Sequence, residues 1–152
     1  MYFPRHAFLI AVLLAPFAAR AGAWGSGSFE NDDALEWVAD CVRTSGGSSV
    51  ATALTRVADA RYMEAPEASV AVAAAEVVAA ARGKASPKLP PDLWAWLQKQ
   101  PKAEIAELAP SALKAMERVA RGPSSELATL WKQSESHFAW QQGMQDLLAR
   151  LR

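Results

Sequence analysis

From Ala68 to Ala81 the chain is alanine and valine, interrupted only by Ser69 and by one charge, Glu76. A helix that is apolar on nearly every side must be buried on nearly every side. Pro66 suits the first turn of such a helix and Gly83 a left-handed stop. The pattern therefore predicts a buried helix over Pro66–Arg82, and small side chains let its neighbours come close. A fold with such a helix needs enough other amphipathic segments to surround it.

The rest of the chain supplies them. Asn31, Asp32 and Asp33 offer oxygens to the free amides of a helix start, and their charge suits the positive end of the helix dipole. Two patterns fit there: Asn31 as cap, or a capping box of Asp33 with Glu36. Apolar residues then recur at Ala34, Leu35, Trp37, Val38, Cys41 and Val42, with a stop near Thr44. Ser48 or Ser49 is expected to cap a second helix over 50–61, with Ala53, Leu54, Val57 and Ala58 on its inner side. A proline-containing loop over 84–91 leads to a short helix over 91–99 carrying Trp94, Trp96 and Leu97. A further turn or two is expected over 103–108. A helix over 111–121 shows Leu113, Met116 and Val119 on one side and stops at Gly122-Pro123. Ser124 or Ser125 starts a helix over 126–132. After a break at 134–136, a last helix over 137–151 has Trp140, Met144, Leu147, Leu148 and Leu151 as its inner face. No stretch shows strand alternation and no internal repeat is visible. The expectation is an all-α, compact single-domain bundle of about six helices around the alanine/valine helix.

The first 21 residues have the pattern of a cleaved secretory signal peptide. Arg5 supplies the positive start, Ala7–Phe17 the apolar core and Ala19-Arg20-Ala21 the cleavage site. The apolar run falls short of the roughly 20 residues that span a bilayer. Cleavage would leave one helical domain over 22–152, with no membrane anchor, in the periplasm or outside the cell. Without Arg5 and Arg20 the chain has two more acidic than basic residues. It thus lacks the basic stripe of a nucleic-acid binder and a polybasic membrane patch. The charge is nevertheless uneven: Glu30, Asp32, Asp33, Glu36 and Asp40 all precede the first basic residue of the mature chain, Arg43. A single cysteine, Cys41, excludes an intramolecular disulfide and is expected to be a small buried apolar residue. The core must then hold the fold alone, which six tryptophans and 51% hydrophobic residues make feasible.

The opening Gly22-Ala23-Trp24-Gly25-Ser26-Gly27-Ser28-Phe29-Glu30-Asn31-Asp32-Asp33-Ala34-Leu35-Glu36-Trp37 resembles that of a bacterial family labelled domain of unknown function 4259. Tyr62-Met63-Glu64-Ala65-Pro66-Glu67, the alanine-rich run around Glu76, the Ser-Glu-Leu at Ser125, and Trp131 and Trp140 resemble it too. The resemblance spans the mature chain and implies a shared fold; it carries no activity. Typical members look cytoplasmic, with methionine directly before the first glycine, where this chain has the export signal. Signal cleavage and removal of an initiator methionine would leave the same glycine terminus, so Gly22, Gly25, Gly27, Phe29 and Asn31 are expected to serve a tucked-in, structural opening. Glu76 needs a partner if it is buried; the candidates are the backbone of residues 22–27, the Gly22 amine and the Trp24 indole. The competing expectation is that Glu76 faces solvent.

The glycines lack the spacing and the preceding strand of a dinucleotide fingerprint. The run at Asn31–Asp33 lacks the spacing of a calcium loop. One mature histidine, His137, makes no zinc site, and no cofactor or metal is expected. The reading that fits best is a non-catalytic periplasmic protein-binding module, for example of inhibitor or immunity type. Its partner would be another protein, met through Trp24, Glu30, Asp32, Asp33, Glu36 and Asp40. The alternative is a small envelope hydrolase using Glu30, Asp32 or Glu36 with His137; a self-associating scaffold is a third. Oligomeric state is left open.

Overall fold

The computed structural model describes residues 23–152. The expectations for the export signal and for Gly22 lie outside the described residues.

The described chain is all-helical, with eight helices: α1 Asp32–Cys41, α2 Ser48–Asp59, α3 Ala65–Ala81, α4 Pro91–Gln98, α5 Lys102–Ala106, α6 Ala109–Val119, α7 Glu126–Lys132 and α8 His137–Leu151. The alanine/valine segment lies at the centre as expected. Every residue from Ala71 to Ala80 is buried, and α3 packs against each of the other seven helices. Its end satisfies the last carbonyls through a left-handed glycine. Gly83 has φ +81°, its amide donates to the Ala80 carbonyl, and the Lys84 amide donates to that of Ala79.

Eight helices exceed the expected total of about six, although each corresponds to a helical segment read from the sequence, α5 to the further turn or two over 103–108. Pro91 opens α4, and Pro110 sits in the first turn of α6, where its missing amide hydrogen costs nothing. The region after α3 therefore divides into three short helices. On α6 the buried face is Ala109, Ala112, Ala115, Met116 and Val119, with Leu113 only partly covered. On α1 the inner face is Ala34, Val38 and Cys41; Leu35, expected inside, is 39% exposed. Neither expected serine caps α2. Gly47 holds that position without a side-chain bond, since a Cβ there would come within 3.2 Å of Ile105 Cγ1 in α5.

Two long-range ties close the bundle. Arg118 of α6 donates to the Val57, Ala58 and Ala60 carbonyls at the end of α2, groups that have no partner within their own helix. The Tyr62–Glu64 connection lies beside the start of α7. The Met63 amide donates to the Ser124 carbonyl (2.8 Å) and the Glu126 amide to that of Met63 (3.0 Å). The Glu126 carboxylate then accepts from the Ala65 amide at the start of α3 (2.7 Å). Ser125, fully buried, caps α7 and donates its hydroxyl to the Val119 carbonyl (2.8 Å).

A cleft between the opening loop, the central helix and the last helix

The opening segment folds back on itself before α1 begins. The Trp24 amide donates to the Glu30 carbonyl (3.0 Å), and the Glu30 amide to that of Gly27 (3.1 Å). The Glu30 carboxylate turns into the loop and accepts from the Gly27 amide (3.1 Å). This accounts for both glycines of the motif: a Cβ on Gly25 would lie 2.0 Å from one Glu30 carboxylate oxygen, and one on Gly27 2.3 Å from the other. Phe29 anchors the loop in the core. Asn31 is the cap of α1, its side-chain oxygen accepting from the Ala34 amide (2.8 Å). Asp32 and Asp33 fill the first turn, and the capping-box alternative does not form.

Glu76 is buried, so the solvent-facing expectation fails. Its partners also differ from those expected. The Ser28 hydroxyl donates to one carboxylate oxygen (2.8 Å). The Arg150 guanidinium, 74 residues away on α8, grips both oxygens (2.7 and 3.0 Å). Trp24 is 59% exposed, and its indole makes no bond to Glu76. Arg150 also donates through Nε to Asp146 (2.8 Å) and through a terminal nitrogen to the Lys84 carbonyl (3.2 Å). Burial disfavours the charge on Arg150, but its hydrogen bonds and attraction to Glu76, then to Asp146, outweigh it and hold the guanidinium above its ordinary pKa. A two-pronged arginine–carboxylate pair of this kind fixes orientation as well as energy. It joins the opening loop, α3 and α8 at one point.

Above this pair lies a cleft of about 200 Å³. The opening loop forms one side, with Ala23 and Gly25–Phe29. Central helix α3 supplies Ser69, Val72 and Glu76, and the loop after it Ser86 and Lys88. Trp131 of α7 and Trp140 of α8 form a wall, stacked with ring centroids 6.2 Å apart and planes 12° from parallel. The cleft thus gathers the opening motif, the middle of the alanine-rich helix and the two late tryptophans.

The proposed acidic set is dispersed. Asp32, Glu36 and Asp40 stand exposed along the outer side of α1 and Asp33 is half-buried. Asp40 pairs with Arg43; Asp32, Asp33 and Glu36 make no ion pair among the described residues. None of the four lines the cleft, and neither does His137, whose Nδ1 is buried without a hydrogen-bond partner among the described residues. No group of three or more metal-ligating side chains occurs among the described residues, and no helix among them is long and apolar enough to cross a membrane. Cys41 is buried with a free thiol. Sequence reasoning missed Arg150 and Asp146 as members of the site. Their only local signal is the i, i+4 acid–base spacing on the last helix.

A family model described as domain of unknown function (DUF4259) matches residues 22–143. No curated protein and no solved structure matches the chain.

Proposed function

We propose a function for a chain that belongs to the DUF4259 family: it is a non-catalytic protein-binding module of the cell envelope, of the inhibitor or immunity type. One observation carries the reading. The loop before α1 and the outer side of α1 expose two large apolar side chains, Trp24 (59%) and Leu35 (39%). Asp32 and Glu36, on the same side of α1, have no cationic partner among the described residues. Exposed apolar side chains next to unpaired carboxylates on and before one helix support the reading of this side as a recognition face. Its complement is a partner surface with basic and apolar residues, approached faster at low salt. The envelope location rests on the signal-like first 21 residues.

The hydrolase alternative has less support. The Glu30 carboxylate is committed to the Gly27 amide, and His137 does not share the cleft with any of the acids proposed to work with it.

The test compares the wild-type protein with a Trp24→Ala/Asp32→Asn/Glu36→Gln variant as baits for envelope proteins. We expect the wild type to retain one stoichiometric partner, lost in high salt and lost from the variant. Equal recovery by both baits would remove this face from the interaction.

A further inference from the structure

The bundle has a second charged surface, which the order of residues along the chain conceals. Arg56 and Arg61 are far in sequence from Lys114, Arg118 and Arg121. The fold brings them together. The Arg118 guanidinium lies on the Val57, Ala58 and Ala60 carbonyls, and Lys114 comes within 3.8 Å of Asp59. The ends of α2 and α6 and the connection after α2 thus share one basic face, with Asp59 and Glu64 as the acids among its cations. Folding uses Arg118, which closes α2. Arg56, Arg61 and Arg121 are exposed and make no ion pair among the described residues. Tyr62, 54% exposed, follows Arg61 directly, and the Met63–Ser124 hydrogen bond brings its segment beside the one that follows Arg121.

The make-up of this face selects its partner. Unpaired guanidiniums match carboxylates and phosphates, and arginine and tyrosine are both enriched where proteins meet. A nucleic-acid backbone or an anionic membrane presents negative charge alone and would be repelled by Asp59 and Glu64. A protein surface that is mainly acidic, with a base among its acids, meets both signs. The chain carries such a surface itself. On the outer side of α1, Asp32 and Glu36 are exposed without cationic partners among the described residues, and Arg43 beside Asp40 supplies the base. Leu35 and Trp24 add exposed apolar area there, as Tyr62 does on the basic face. The two surfaces lie on different helices, so one chain offers both at once.

From this complementarity we infer that the basic face of α2 and α6 binds a second copy of this chain through the acidic outer side of α1. The inference rests on the recognition face proposed above and names one partner for it. Asp32 and Glu36 of one copy meet Arg56, Arg61 and Arg121 of the next. Unlike faces are joined, so each pair keeps one free face of either sign and association continues past the dimer. Exposed ion pairs are individually weak and screened by salt, which makes the assembly reversible.

The test is sedimentation equilibrium of the purified protein over a concentration series in about 0.01 M and about 1 M salt, where charges are screened beyond about 30 Å and about 3 Å. The wild type is expected to pass the dimer mass with rising concentration at low salt and to remain monomeric at high salt. Two variants each neutralise one face: Asp32→Asn/Glu36→Gln, and Arg56→Gln/Arg61→Gln/Arg121→Gln. All five positions are exposed, so both variants are expected to fold as wild type does. Each should be monomeric alone at low salt. Their equimolar mixture should form a dimer and nothing larger, because it retains only one complementary pair of faces. The inference is overturned if the wild type is monomeric at low salt, if either variant alone associates as the wild type does, or if the mixture stays monomeric. Only the purified chain is present, so failure here is separate from failure to capture an envelope protein.

Discussion

Glu30 and Glu76 show how one side-chain type takes different structural roles in two parts of the chain. Glu30 lies in the opening segment and Glu76 in the middle of α3. Glu30 braces its own loop, and the space its carboxylate fills is why residues 25 and 27 lack side chains. Glu76 is the single charge of the central helix and is held by Ser28 and Arg150. That Glu76 needed a partner was legible in the sequence, because an unpaired charge in an apolar helix is too costly. Which partner it has was not legible: Arg150 is 74 residues away, and local periodicity says nothing about pairs at that separation. Cys41 met its expectation. Burial pushes its thiol from 9.0 up to about 11, against a smaller opposing effect of Thr44. The folded state therefore holds this proton more tightly than the unfolded state. Stability from the protonated thiol is complete below pH 9, declines as pH rises from 9.0, and is gone above about 11. Urea midpoints measured across this range should fall more steeply for wild type than for Cys41→Ala; parallel curves would contradict the burial of the thiol.

At the scale of elements, the helices were most legible where a stop or cap is written in residue type. Gly83 ends α3, and Ser125 caps α7; both follow from the conformational freedom of glycine and the short acceptor of serine. The bounds of α7 and α8 likewise follow from apolar spacing on either side of the break at 134–136. The region from Pro91 to Val119 was legible as three segments, with bounds displaced by one or two residues around its prolines. The closure of α2 by Arg118 and the Met63–Ser125 pairing were not legible at all, because each depends on where a distant element comes to rest. Gly143 gives a prediction at this scale. A helix-interior glycine with free space around it should be improved by alanine. Gly143→Ala is expected to gain about 1 kcal/mol, seen as a rise in melting temperature of about 3 °C. A lower melting temperature would show that this position on α8 is not open.

For the whole molecule, the segments that identify the family converge rather than line up. The opening loop meets α3 and α8 at Glu76, and the Tyr62–Glu67 connection meets the start of α7 through Met63. The motif is thus first an architectural device, with the outer side of α1 exposed and a cleft behind the loop. The family match ends at Gly143, yet the guanidinium that completes the tie lies beyond it, on the last turns of α8. The opening loop, α3 and α8 are held together only if Glu76 and Arg150 act as one unit across the bundle. The most direct measurement is a double-mutant cycle in urea with Glu76→Gln, Arg150→Met and the pair together. Breaking one partner of a buried ion pair costs about 3–5 kcal/mol; with Asp146 retained beside Arg150, the lower end is expected for Glu76→Gln. Removing the second partner should then add little, giving a coupling of about 3 kcal/mol. Losses that simply add, to within about 0.5 kcal/mol, would contradict the tie and with it the tucked-in opening loop.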